Sequence, residues 1–282
     1  MSVSTFVTFQ KILPKKLLTE IAGLLAECRW RPFKNLLIRV FCRYYRVDLS
    51  HAQIKDASEY ASFNDFFTRA LEPEARPING ALNSMVSPAD GTVSAFGNLQ
   101  SSSLLQAKGI LYQASELLVD DMLATKLEAG CFITIYLSPK DYHRVHVPLA
   151  GKLMSVTYIP GRLFSVNDET ARTVDGLFSL NERIVAQFQT PNFTYALVMV
   201  GAMIVGGMET TATGRIRRKR QLVELNERAG KQYDKGEEFG RFHLGSTVIL
   251  VLPKVADISF AEELIEGSAV SMGEILAEFS RD

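Results

Sequence analysis

Phe242-His243-Leu244-Gly245-Ser246-Thr247-Val248-Ile249-Leu250-Val251-Leu252 is the stretch that decides the fold. Val248 to Leu252 is an unbroken apolar run, mostly β-branched and closed by Pro253, which predicts a strand buried on both faces. Gly within a strand costs entropy and marks a bulge or a close approach, so a start on Gly-Ser-Thr calls for a reason. Gly245 leaves its own carbonyl uncrowded, and Ser246 puts a hydroxyl beside it. That is the arrangement an internal attack needs, with Oγ of Ser246 on the carbonyl carbon of Gly245, shifting the acyl group from N to O. An ordinary polar start to a strand gives the same letters, so the rest of the chain must choose.

Working outward, 282 residues with 47% hydrophobic and 22% charged side chains can bury a sizeable core and are not those of a disordered chain. Lys+Arg and Asp+Glu balance at 31 each, so no global field argues for nucleic acid. Residues 1–50 depart from that balance, with nine Lys/Arg against three acids. Cys28, Cys42 and Cys131 show no ligand spacing and fit reduced, mostly buried thiols. The first residues lack the charged, apolar and small-residue segments of a signal peptide, which predicts a cytoplasmic chain.

Residues 4–27 read as an amphipathic helix interrupted near Pro14, and Leu36–Tyr45 as a second one flanked by Arg and Tyr. Neither has the ~20 uncharged residues of a membrane span. Such helices either lie in a membrane interface or pack on the rest of the protein, and the pattern alone does not separate the two. Residues 54–80 read as a further short helical region, closed by Pro73 and Pro77. From about Asn83 the text becomes short β-like runs: 91–96, 131–137, 152–158, 184–188, 195–200 and 202–205, with a helical insert at 115–119. The expectation is an α+β chain: a helical region over 1–80, then a β-rich domain of sandwich or barrel type over 81–282. Arg215–Arg220, the one dense charge run, reads first as a solvated face, then as a site for phosphate or anionic lipid, and last as a nucleic-acid site.

Two of the four histidines, His143 and His146, follow the strongest β-run. As a metal pair they lack a third ligand cluster, whereas as acid/base groups they suit reactions near neutral pH. Ser87-Pro88-Ala89-Asp90-Gly91 offers Asp90 at the mouth of a strand to orient an imidazole, although Asp-Gly is also an ordinary turn pair. Asp90, a histidine and Ser246 would together make a nucleophilic triad, and no Gly-x-Ser-x-Gly elbow surrounds Ser246.

Leu244-Gly245-Ser246-Thr247, Ser87–Gly91 and Tyr142-His143-Arg144-Val145-His146 together resemble the pyruvoyl-dependent phosphatidylserine decarboxylases of the bacterial and mitochondrial type. Further likenesses are Phe63–Arg69, Gln106–Gly109, Val200-Gly201-Ala202 and Lys235–Gly240. The resemblance covers about residues 60–282, and the N-terminal helices match in kind. It implies a proenzyme in which a histidine oriented by Asp90 takes the Ser246 proton. The chain then splits after Gly245, and Ser246 becomes a pyruvoyl cofactor that forms an imine with phosphatidylserine, releases carbon dioxide and yields phosphatidylethanolamine. It gives His146 to self-cleavage and His143 to decarboxylation, a division that the residues themselves do not make. It also implies a barrel-sandwich hybrid fold, a cleaved small chain held non-covalently, and peripheral attachment to an anionic surface on the cytoplasmic face of the cell membrane. A homo-oligomer stays open. Two rivals remain at this point: a membrane-associated serine esterase using the same triad without cutting itself, and a non-catalytic binding module with Arg215–Arg220 as its anion site.

Overall fold

The computed structural model describes residues 15–100, 102–107, 109–203, 207–216, 218–243, 246–254 and 258–279. Among the described residues three helices come first: α1 (Lys15–Ala26), α2 (Arg31–Tyr45) and α3 (Phe63–Phe67). Then follow β1 (Ser84–Val86), β2 (Gly91–Asn98), the hairpin β3 (Ser103–Ala107) and β4 (Ile110–Gln113), α4 (Ala114–Leu118) and α5 (Asp121–Lys126). β5 (Cys131–Leu137), β6 (Arg144–His146) and β7 (Gly151–Ile159) lead to α6 (Asp168–Ala171) and α7 (Leu177–Leu180). Next are β8 (Arg183–Gln189), β9 (Thr194–Gly201), β10 (Met208–Thr210), β11 (Gly214–Ile216), β12 (Val223–Glu224) and β13 (Gln232–Tyr233). The chain ends through β14 (Glu238–Phe242), β15 (Ser246–Leu252), β16 (Ile258–Phe260), β17 (Ala269–Val270) and β18 (Ile275–Phe279).

β15 is the axis of the largest sheet, whose order is β12-β7-β8-β9-β15-β5-β2-β17 with β13 also on β7. It pairs antiparallel with β5, Ser246 opposite Leu137 and Leu252 opposite Cys131, and on its other side with β9, Ser246 opposite Gly201. Side chains along a strand alternate faces, and the two faces of β15 enter different cores. Val248, Leu250 and Leu252 pack with Ile133, Ile135, Leu197 and Met199, while Ile249 and Val251 pack with Phe132, Val198 and Val200. Both faces are covered, which is why the run is continuously apolar rather than alternating. Among the described residues three smaller sheets accompany the large one: β11-β10-β14-β6, β1-β18-β16 and the hairpin β3-β4. The α+β class expected from the sequence holds, and among the described residues no sheet closes into a barrel.

The expected strand positions agree with β2, β5, β7, β8 and β9 to within a residue or two, and the insert at 115–119 is α4. The run at 202–205 does not continue as expected: Ala202 and Met203 leave the sheet after Gly201, and Ile204 and Val205 lie outside the described residues. Residues 54–80 are mostly turn, with α3 as their one helix. Asp56 captures the Ser58 N–H, a local bond that competes with helix. α3 starts where Ser62 Oγ accepts from Asp65 N and Asp65 Oδ2 accepts from Ala61 N, a reciprocal cap.

The helix expected over 4–27 is described only from Lys15 onward. α2 begins earlier than expected, with Pro32 in its first turn, where a missing N–H costs nothing. Ala26, Ile38, Tyr60, Phe63, Phe66 and Phe67 form a third core of their own. Four apolar side chains of α1 do not join it: Leu24 is 75% exposed, and Leu18, Ile21 and Leu25 are also on the surface. Trp30, Leu36, Val40 and Tyr44 are exposed too. Among the described residues no helix is long and apolar enough to cross a membrane.

Candidate active site

The site lies where four segments reach one end of the large sheet. β2 and β15 both pair with the end of β5, Thr92 opposite Tyr136 and Ser246 opposite Leu137, so Asp90 and Ser246 head strands that flank β5. Gly91 has ordinary φ, and its role is space: a Cβ there would collide with the Tyr136 carbonyl of β5. The Asp-Gly pair thus marks a close strand approach rather than a turn. β6 and the residue just before it carry His146 and His143 past the same end. His146 N donates to Pro88 O at 2.8 Å, and His143 O accepts from Phe242 N at 3.0 Å, four residues before Ser246.

Ser246 is fully buried and its Oγ has no hydrogen-bond partner. His143 is also fully buried; its Nδ1–H donates to Asp141 O at 2.8 Å, which leaves Nε2 as an acceptor, and that atom is unpartnered. Phe67 lies against the ring at 4.0 Å between centroids. Burial pushes the His143 pKa down to about 3, the Asp141 carbonyl opposes this, and the Arg69 charge adds to it. At neutral pH the ring is an uncharged base. Arg69 is itself buried and donates to Lys140 O and Asp141 O, fixing the turn that leads into β6.

His146 is held from both sides. Its Nδ1–H donates to Gly236 O at 2.8 Å, and Tyr142 Oη–H donates to Nε2 at 3.0 Å. Burial lowers its pKa, against the Gly236 carbonyl and the Glu238 charge, and raises that of the Tyr142 phenol, so the pair is a neutral donor on a neutral acceptor. Asp90 is gripped by Arg76 at 2.8 and 2.5 Å, and its Oδ1 also accepts from Met272 N at 2.9 Å. The structure therefore brings Asp90, His143, His146 and Ser246 to one end of the sheet without a hydrogen bond joining any two of them. Gly236 and Tyr142 orient the His146 ring, and Arg76 holds Asp90. Gly245, the other side of the expected scissile bond, lies outside the described residues.

Sequence reasoning missed Arg76, whose carboxylate partner is 14 positions away, and the part played by Phe63–Arg69. That segment brackets the histidine strand. Phe67 covers His143, Arg69 holds the turn before it, and Thr68 O accepts from Arg144 Nε. Its charge and aromatic pattern gave no local sign of this. The Arg215–Arg220 run is solvated in most of its described part, with Arg215, Lys219 and Arg220 exposed and Arg215 paired with Glu27, while Arg218 reaches the buried carboxylate of Glu182. Arg217 lies outside the described residues.

Unpaired buried polar atoms are rare and ask for a function. An open hydroxyl and an open imidazole nitrogen, set with a second histidine and an acid at one end of a sheet, are parts that suit an enzyme rather than a binding module. The family model described as phosphatidylserine decarboxylase matches residues 63–278, and one described as PSD matches residues 5–46. The chain is 48% identical over 275 residues to the phosphatidylserine decarboxylase proenzyme of Pseudomonas fluorescens, covering 95% of each chain. It is 49% identical over 278 residues to that of Pseudomonas entomophila, covering 96% of each, and 44% identical over 275 residues to that of Psychrobacter arcticus, covering 98% of this chain and 99% of the relative. The chain belongs to the phosphatidylserine decarboxylase family.

Proposed function

We propose that this chain is made as a proenzyme, cuts itself between Gly245 and Ser246, and uses a pyruvoyl group formed from Ser246 to convert phosphatidylserine to phosphatidylethanolamine and carbon dioxide. One observation carries the reading: Ser246 Oγ is a buried hydroxyl without a partner, at the head of a strand gripped on both sides. Leaving such a group unpaired costs about 1–3 kcal/mol, and a nucleophile gives a reason to keep it. Family membership and relatives named as proenzymes support the same reading over the esterase.

In the cut, a histidine takes the Ser246 proton and Oγ bonds to the Gly245 carbonyl carbon. The C–N bond breaks, and the nitrogen takes up the proton. Loss of the Ser246 α-proton then breaks the Cβ–Oγ bond, freeing the Gly245 carboxylate and leaving a dehydroalanine. Water displaces its nitrogen as ammonia, and a ketone remains. A pyruvoyl ketone supplies an electron sink that no ordinary side chain has. The setting of Ser246 suits it, being buried and held in the sheet independently of the cut bond.

His146 serves as the base for the cut, with Asp90 nearby favouring its protonated form, and His143 moves the proton in decarboxylation. For His146 to act, Nε2 has to exchange the Tyr142 hydroxyl for that of Ser246. The open Nε2 of His143 favours the exchanged assignment, and one experiment separates the two. Intact mass under denaturing conditions should show wild type as two chains, His146→Ala as one, and His143→Ala as two but without carbon dioxide release. The reverse pattern exchanges the roles, and an uncleaved, active wild type overturns the reading.

Residues 1–80 serve as the membrane unit of this design, with Phe67, Arg69 and Arg76 also bracing the site, and residues 81–282 as the catalytic unit. The protein docks peripherally on the cytoplasmic face of an anionic membrane through the apolar surface of α1 and α2, with Arg29, Arg31, Arg39 and Arg43 close by in sequence.

A further inference from the structure

His243 is the one buried histidine that the chemistry above leaves without a task. It stands three residues before Ser246, and three bonds fix it. Its backbone N donates to Gly207 O at 3.0 Å, Nδ1 faces Asn64 Oδ1 at 2.9 Å, and Nε2 faces Glu209 Oε2 at 3.2 Å. Asn64 Nδ2 donates to Glu27 Oε1 at 2.8 Å, which sets the amide so that its oxygen points at the imidazole. Both ring nitrogens therefore face acceptors. The same Glu27 oxygen also accepts from Arg215 Nη1 at 2.6 Å, and Arg241 lies 3.8 Å from the other oxygen of Glu209. The chain of contacts runs from the end of α1 through α3 to β10, and its centre is the residue just ahead of the scissile segment.

We propose that His243 is a positioning residue for self-cleavage: anchored by Asn64 and Glu209, it fixes the large-chain side of the scissile segment while β15 fixes Ser246. Only Leu244 and Gly245 lie between the two anchors in the sequence. Holding an attacking atom and its target near their reacting geometry is worth orders of magnitude in rate, and a misplacement of about 1 Å costs about a hundredfold. Because Asn64 also bonds Glu27, the anchor belongs to the N-terminal helical region as much as to the sheet, and cleavage is coupled to the seating of α1. The inference rests on the self-cleavage reading.

The test follows the full-length proenzyme after synthesis, scoring cut against uncut chain with time by denaturing electrophoresis, with thermal unfolding measured alongside. His243→Met, which fills similar space without donors, should cleave about ten- to a hundredfold more slowly. His243→Lys, which presents only donors to the same two acceptors, should recover most of the rate; a space-filling role would put Met above Lys. Asn64→Ala should slow cleavage comparably, and combining it with His243→Met should add little, since both break one linkage. Wild-type speed in His243→Met, or fully multiplicative slowing in the double variant, overturns the proposal while leaving self-cleavage standing. A wild type that never cleaves overturns both.

Discussion

After the cut, residues 246–282, 37 of the 282, should stay with the large chain although no covalent bond holds them. The fragment begins with β15, between β5 and β9, and also supplies β17 to β2 and β18 to β1. Val248, Ile249, Leu250, Val251 and Leu252 are all fully buried. At about 1.5–3 kcal/mol for each buried side chain, these five alone contribute about 7–15 kcal/mol, the same order as the cost of tying two chains together. The remaining pairings then set a net retention. Leu250→Ala removes a side chain from the centre of the strand, where the cost is about 2–5 kcal/mol. At about 1.4 kcal/mol per tenfold, retention weakens by about thirty- to several-thousandfold. The assay is gel filtration of cleaved protein in rising urea, with the small chain followed by denaturing electrophoresis. Wild type should keep it without urea, Leu250→Ala should shed it at distinctly lower urea, and Leu222→Ala, at a surface position, should behave as wild type. Loss of the small chain from wild type in native buffer, or equal release by the two alanine variants, would refute the reasoning.

Tyr142→Phe removes the hydroxyl on His146 Nε2, so cleavage should keep or exceed the wild-type rate if His146 is the base, and a stalled chain in time-course electrophoresis would count against it. His143, with its pKa held down at about 3 against an ordinary 6.5, binds its proton more readily when unfolded. Its contribution is complete above pH 6.5 and is lost as pH falls toward 3, by up to about 1.4 kcal/mol per pH unit. Urea melts at pH 7 and pH 4.5 should therefore show a shallower acid loss in His143→Phe than in wild type. On the membrane face, Leu24, Leu36 and Tyr44 together changed to Ser should cut co-sedimentation with anionic vesicles at least tenfold. Deleting the helices is the poorer test, because Ile38 of α2 is buried against the aromatic cluster of α3.

What the sequence determined by itself is what depends on local pattern. The run Val248–Leu252 could be read as a strand covered on both faces because continuous apolarity leaves no solvent face, and β5, β8 and β9 announce themselves in the same way. Asp90, His143, His146 and Ser246 could be singled out because few side chains can move a proton or attack a carbonyl, and because the motifs around them resemble one family. The tertiary structure alone decided how those side chains are held. Arg76 on Asp90, Gly236 and Tyr142 on His146, and the open Nε2 of His143 are choices of partner, made by strands and loops that the topology brings together from up to 90 positions apart. It also decided which way α1 faces. A helical stripe tells that leucines share a side, and only the packing of neighbouring elements determines whether that side meets a core or, as with Leu24, is left uncovered.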